Sequence, residues 1–377
     1  MFWCLILPLL TLVIGCQTYD QRGMPSTPTS DSEPMEDKTD ESSDSEPDAL
    51  VHNTYRIAEQ TAVFRMIGRV QKVSDGITCD HTASGIEFEG MMRGDVVLTL
   101  SCDRDTYFTV FVDGKRLNQR FWVTPEDKEL VLASFETAAV HHIRVLKQTE
   151  PQLSLSVLAS VSLDGYLTEA PAERDTYIEF IGDSLTCGYG NLAKPSTANA
   201  GAALWEDGTE TYAFLAAEQL NADADMISCS GIAIDRGWTS FSMADLYDKV
   251  SFFRDAEAVR ETVDRIPDVV VINLGSNDEL CGSTKGPFME GVRALIGCVR
   301  ARYGDNTPIV WAYNMGVEGR FPWTLEVLNE LGGEAAGLYH VALIRNRDGG
   351  NSHPSLTGHR ESADLLASFL REKQLLP

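Results

Sequence analysis

The spacing of apolar residues changes several times along this 377-residue chain, and each change marks a boundary. Met1 to Gly15 is an almost unbroken apolar run, too short to cross a bilayer as a helix, and it ends at Cys16. Gln17 to Leu50 carries ten acidic and two basic residues among Ser, Thr and Pro, so 16–50 cannot bury a core and is expected to be a disordered acidic tether. From about Tyr55 to Asp164 the period becomes two, clearest in Val96-Val97-Leu98-Thr99-Leu100 and in Tyr107 to Val112, which runs into the turn Asp113-Gly114. Strands are predicted over Ala62–Val70, Gly85–Phe88, Val96–Ser101, Phe108–Val112, Leu130–Ser134, His142–Lys147 and Leu153–Leu163. Many short strands without a long helical period predict an all-β sandwich of jelly-roll type over 51–168.

After a hinge at Thr168 to Arg174, apolar β runs alternate with helical stretches through 169–377. The strands expected are Tyr177–Ile181, Met226–Ser228, Val269–Leu274, Ile309–Tyr313 and Gly337–Leu343. Helices are expected over Tyr212–Leu220, Phe288–Arg302, Trp323–Leu331 and Gly358–Lys373. This βαβ alternation predicts a three-layer, flavodoxin-like parallel sheet with helices on both faces, whose ligands sit at the carboxyl ends of the strands.

Composition narrows the picture. Hydrophobic residues at 43% and charged residues at 23% are ordinary for a globular protein and leave no room for a multi-span membrane protein. A net charge of −25 repels phosphate backbones, which argues against nucleic-acid partners and does not penalise neutral glycans. Of eight cysteines, Cys4 and Cys16 fall in or beside the apolar leader. The other six are compatible with Cys79–Cys102 and Cys281–Cys298 disulfides or, equally, with buried free thiols. Neither a Cys-x-x-Cys pair nor a Cys/His cluster occurs, so no metal is expected. His141-His142 in a strand would point its rings to opposite faces, and Gly188-Tyr189-Gly190 lacks the remainder of a dinucleotide fingerprint.

Four separated blocks carry chemistry, each where a strand should end. Gly182-Asp183-Ser184-Leu185 places a serine at a strand-to-helix turn, exposed for attack and with its own N–H free to donate. Gly231 follows Ser228-Cys229-Ser230, and its missing side chain lets a backbone N–H approach a ligand. Gly275-Ser276-Asn277-Asp278 offers the Asn277 amide, and His353-Pro354-Ser355 offers a base just before the last helix. Together they supply a nucleophile, a base and donors for a developing oxyanion.

In these blocks, spanning about Thr176 to Leu370, the chain resembles the SGNH hydrolase superfamily, also called GDSL esterases. The preceding β region, with Ile67-Gly68-Arg69, Val112-Asp113-Gly114 and His142 to Lys147, resembles the N-terminal jelly roll of carbohydrate esterase family 2. The resemblance implies removal of O-acetyl groups from polysaccharide of xylan or glucomannan type, with Ser184 as nucleophile and His353 as base. Ser184 N–H, Gly231 N–H and Asn277 would form the oxyanion hole, and no metal or organic cofactor would be needed. The leader resembles a bacterial lipoprotein signal with Val13-Ile14-Gly15-Cys16 as lipobox, although no Lys or Arg stands near Met1. That implies export, lipidation at Cys16 and membrane contact only through the anchor, or otherwise plain secretion.

This sequence departs from the pattern at the third triad position. The acid usually three residues before the histidine is Gly350, and two residues before it stands Asn351. A Ser184–His353 dyad oriented by Asn351 or a loop carbonyl is therefore favoured over a triad through Asp348. The missing acid keeps open a catalytically impaired, carbohydrate-binding surface lipoprotein, and the superfamily keeps open another acyl substrate. Among Trp205, Trp238 and Trp311, Trp238 is the best candidate to stack on a sugar. His359 is expected to sit at the surface or to cap a helix. The oligomeric state is not legible.

Overall fold

The structure, a computed structural model, describes residues 50–254, 258–260 and 263–377. The leader, Cys16 and nearly all of the acidic tether lie outside the described residues. Ala49–Pro377 forms one compact unit, built from an antiparallel and a parallel sheet.

The first half contributes β1 (His52–Arg56), β2 (Arg65–Ile67), β3 (Lys72–Val73), β4 (Gly76–Thr78), β5 (Gly85–Cys102), β6 (Thr106–Val112), β7 (Lys115–Arg116), β8 (Phe121–Val123), β9 (Glu129–Lys147) and β10 (Ser156–Leu167). They form one ten-stranded antiparallel sheet with the path β3-β4-β10-β5-β9-β6-β7, from which β1, β2 and β8 branch. Two expected pairs of short strands are single long ones. Gly85–Phe88 and Val96–Ser101 belong to β5, while Leu130–Ser134 and His142–Lys147 belong to β9. The Gly90–Asp95 stretch reads as a break, yet the ladder runs through it with irregularities between Met92 and Gly94 and between Val96 and Val97. Such bulges bend a strand, so the long strands curl around a core that includes Phe88, Leu98, Phe108, Ile143 and Val161. The expected Ala62–Val70 strand shrinks to β2, because Thr61–Val63 turns as a 3₁₀ helix. Asp113 (φ 51°) and Gly114 (φ 74°) form the tight β6–β7 hairpin their dipeptide predicts. His141 and His142 diverge, one to Asp113 at 2.9 Å and the other to Glu87 at 2.7 Å.

The second half is doubly wound. Strands β11 (Thr176–Gly182), β12 (Ala222–Ser228), β13 (Val269–Asn273), β14 (Ile309–Tyr313) and β15 (Leu338–Ala342) are all parallel, in the order β12-β11-β13-β14-β15. This is the 2-1-3-4-5 order of flavodoxin-like sheets, whose binding crevice opens beside the first strand. Alternate residues of the buried strands face opposite layers. Val270 and Ile272 pack with α5 (Lys285–Tyr303) and α6 (Phe321–Glu330). Val269 and Val271 pack with α2 (Tyr212–Gln219) and α7 (Leu356–Glu372). Short helices α1 (Ser184–Cys187), α3 (Met243–Leu246) and α4 (Ser276–Leu280) stand at the carboxyl ends of the strands or in the loops beyond.

The halves share a core, since Ala83, Phe111 and Leu146 of the β half pack with Ile178, Phe180 and Phe214. Around that seam Arg144 meets Glu218 at 2.6 Å, Arg65 meets Asp223 at 2.6 Å and Arg116 meets Asp207 at 2.6 Å. All six described cysteines are free thiols, so neither Cys79–Cys102 nor Cys281–Cys298 is bridged, and apolar burial does that work.

Candidate active site

Ser184 opens α1 directly after β11. Gly182 is required there, because a Cβ would come within 2.0 Å of Thr186 Oγ1. Asp183 caps the helix, its carboxylate accepting the Leu185 N–H at 3.0 Å, and Gly188 ends it in the left-handed region at φ 90°. This one-turn helix leaves Ser184 at the floor of a cleft of about 340 Å³ that Gly231, Trp238, Asn277 and His353 also line.

His353 arrives on the loop before α7. Its Nε2 lies 2.9 Å from Ser184 Oγ, across 169 positions of sequence. Its Nδ1 lies 3.2 Å from the backbone carbonyl of Asn351. A carbonyl only accepts, so Nδ1 carries the proton and Nε2 is the free base that faces the serine hydroxyl. The carbonyl is aimed by two successive left-handed residues, Asn351 at φ 51° and Ser352 at φ 60°. Asn351 thus meets the imidazole through its main chain, while its side-chain amide donates to Tyr189 Oη at 2.9 Å. The Asp348 carboxylate accepts from Asn346 Nδ2 at 3.0 Å, and the hydrogen bonds of the His353 ring among the described residues go to Asn351 O and Ser184 Oγ. Burial, with a smaller contribution from the Arg347 cation, holds the His353 pKa below its ordinary value.

The oxyanion candidates converge. Among the described residues the N–H groups of Ser184 and Gly231 find no acceptor. Gly231 sits at φ 80°, and a Cβ on it would come within 2.9 Å of the Trp238 side chain. Asn277 stands in the first turn of α4, whose entry depends on Gly275 at φ 112°. Its Nδ2 donates to Ile232 O at 2.8 Å and faces Asp183 Oδ2 at a longer 3.3 Å, the weaker bond leaving one hydrogen available to a stronger acceptor. Burial, with the nearby Asp278 and Glu150 charges, pushes Asp183 up to about 7. Asp278 accepts three backbone N–H groups, from Ile234, Asp235 and Arg236, and so pins the loop after Gly231.

Trp238 is 75% exposed beside Gly231, its indole unburied at the cleft. Trp311 is wholly buried in the core, and Trp205 does not line the cleft. His359 is buried as well, its Nδ1 accepting the first N–H of α2 from Tyr212 at 3.1 Å, so it caps a neighbouring helix inside the protein and not at the surface. Sequence reasoning passed over Tyr189, whose ring centroid lies 4.5 Å from that of His353, and Arg347 on the cleft rim. Its Gly-Tyr-Gly setting signals a loop conformation and carries no local mark of where the ring will stand. A larger cleft of about 670 Å³ lies elsewhere, between β2 and the start of β12, and is lined by no serine–histidine pair among the described residues.

A serine hydroxyl bonded to a free imidazole nitrogen, beside unpaired N–H groups and an asparagine amide at the carboxyl edge of a 2-1-3-4-5 sheet, is the construction of SGNH hydrolases. Two family matches agree with it: residues 180–364 match the GDSL-like Lipase/Acylhydrolase family and residues 66–171 match the Carbohydrate esterase 2 N-terminal family, so the chain joins a GDSL/SGNH domain to a carbohydrate esterase 2 N-terminal domain. It is 28% identical over 313 residues to the cellulase/esterase CelE of Acetivibrio thermocellus, covering 79% of this chain and 38% of that protein. To the acetylxylan esterase/glucomannan deacetylase of Cellvibrio japonicus it is 31% identical over 218 residues, covering 54% of this chain and 56% of that one. A family two carbohydrate esterase from Clostridium thermocellum, solved with cellohexaose, superposes with a TM-score of 0.75 at 26% identity, covering 82% of this chain and 99% of that one. The chain therefore spans about two fifths and just over half of the two curated relatives and nearly all of the solved domain.

Proposed function

We propose that this protein is a serine esterase that removes acetyl groups from polysaccharide of xylan or glucomannan type. The 2.9 Å contact between Ser184 Oγ and His353 Nε2 carries the reading, and the relatives' activities support the substrate class. Ser184 attacks the acetyl carbonyl carbon while its proton passes to Nε2. The negative oxygen rests on Ser184 N–H, Gly231 N–H and the Asn277 amide. Collapse expels the sugar oxygen, which takes the proton from His353 and leaves acetyl on Ser184. Water then gives a proton to His353, attacks the ester and frees acetate, restoring both side chains. Trp238 offers an apolar platform for a sugar face.

The proposal includes a jelly-roll β domain over 51–168, a hydrolase domain over 169–377, export, and lipid anchoring through Cys16. The last two rest on sequence pattern and the extracellular nature of such glycans. Acetate release from acetylated xylan and glucomannan tests the activity. Ser184→Ala should lower turnover by about a million-fold, as nucleophile loss does in an unrelated serine hydrolase, with unfolding unchanged. Equal release by wild type and variant sinks the proposal. Because a neutral carbonyl and no acid backs His353, a glycan-binding protein with impaired catalysis is the second reading. It predicts glycan retention without turnover of p-nitrophenyl acetate, whereas turnover of longer acyl chains in preference to acetyl would point to another acyl substrate.

A further inference from the structure

The connection between β9 and β10 in the N-terminal half reaches the rear of the cleft. Glu150 is almost wholly buried there, and its Oε2 accepts the Ser230 N–H at 2.6 Å and the Cys187 thiol at 3.6 Å. Its own N–H is held by Glu206 Oε1 at 2.6 Å. Two residues on, half-buried Gln152 donates through Nε2 to the carbonyl oxygen of Ser230 and lies 2.9 Å from Cys229 Sγ. Both backbone polar groups of Ser230 are thus gripped by side chains from the other half of the protein.

The carbonyl of Ser230 and the N–H of Gly231 belong to one peptide group. A planar trans peptide points these two bonds in opposite directions, so whatever fixes the carbonyl fixes the N–H. Gly231 offers no resistance of its own, having no Cβ and standing at φ 80°. We propose that Gln152 and Glu150 are positioning residues for the oxyanion hole, through which the β half sets the direction of the Gly231 N–H. The inference rests on the oxyanion role proposed for Gly231. A misdirected donor costs rate without weakening ground-state binding, because the oxyanion exists only along the reaction path.

The test uses the full chain with p-nitrophenyl acetate, a substrate that reports acyl transfer without requiring the glycan. Gln152→Leu should lower kcat about ten- to a hundredfold, the scale of a misaligned catalytic group, with KM within about twofold. Affinity for a boronic acid, whose tetrahedral Ser184 adduct imitates the oxyanion, should fall in the same ratio. Glu150→Gln keeps an acceptor for Ser230 N–H and should retain most activity, whereas Glu150→Leu should not. If Gln152→Leu does not fold, Gln152→Glu, whose carboxylate repels the Ser230 oxygen, must show the same kcat loss. Unchanged kcat and boronate affinity in a folded Gln152 variant overturn the inference. So does a loss expressed only in KM or in thermal midpoint. A wild type no faster than Ser184→Ala instead refutes the esterase reading, which keeps the two failures distinct.

Discussion

His353 turns on a main-chain atom, and that decides which substitutions should matter. The carbonyl of Asn351 fixes the ring, so Asn351→Gly, which keeps the left-handed backbone and loses only the bond to Tyr189, should stay within about tenfold of wild-type kcat/KM, less than one catalytic hydrogen bond is worth. Asp348→Asn should be silent in the same assay. Asn277→Ala should cost about a hundred- to a thousandfold in kcat, the measured scale for one oxyanion donor. The pH profile follows from the base. A depressed His353 pKa keeps Nε2 unprotonated to lower pH, so the acid limb of kcat/KM should lie below the ordinary imidazole value of 6.5. Arg347→Gln removes a cation that opposes protonation and should move that limb upward, toward but not past the ordinary value, since burial is the larger cause.

At the scale of elements, strand-to-loop turns deliver the chemistry, and glycines decide whether the turns can form. Gly275 shows this best, since its φ is 112° and a Cβ would stand 2.1 Å from Gly319 O, a backbone atom that cannot swing away. Gly275→Ala should therefore destabilise the protein by more than about 1 kcal/mol and displace Asn277, read as a lower thermal midpoint together with a fall in kcat. The α/β half was the more legible, with Ile309–Tyr313 expected and found because β14 is an unbroken apolar run, whereas β12 starts at Ala222, ahead of the expected Met226, since Asp223 and Asp225 interrupt its apolar pattern. The antiparallel half was less legible. Where β9 passes through Phe135 to Val140 its residues are mostly exposed, so no apolar period marks a strand that hydrogen bonds to β5 nevertheless continue.

At the scale of the whole molecule, the halves are joined by a shared core and by partly buried ion pairs, and buried titratable groups tie stability to pH. His359 is fully buried and its pKa falls to about 3, from an ordinary 6.5, because burial disfavours the cation. Above 6.5 both folded and unfolded forms hold it neutral. As pH falls below that, the unfolded chain takes up a proton that the folded protein refuses, and stability is lost progressively toward pH 3. Burial of His81, held down at about 4, acts in the same direction. Asp183, raised to about 7, acts oppositely, since the unfolded carboxyl ionises from about 3.8 upward while the folded one stays protonated, so it subtracts stability as pH rises to 7. His359→Gln should flatten the decline in thermal midpoint between pH 6.5 and pH 4 relative to wild type, measured by thermal unfolding across that range.

Strand periodicity and turn residues act over a few positions, and they are enough to mark Ser184, Gly231 and Asn277 as candidates in the turns after β11, β12 and β13, while His353 stands apart in the loop before α7. The missing acid already pointed to Asn351 or a loop carbonyl as the group that orients His353, but nothing local could say that the main-chain oxygen of 351 and not its side chain would do so, or that Gln152 would hold a peptide 78 positions away. The first is decided by the backbone of two left-handed residues before His353, and the second by the path of the whole chain, which brings the β9–β10 connection from one half of the protein to the back of the other's cleft. Sequence fixes which groups are available, and packing over long separations decides which of them meet.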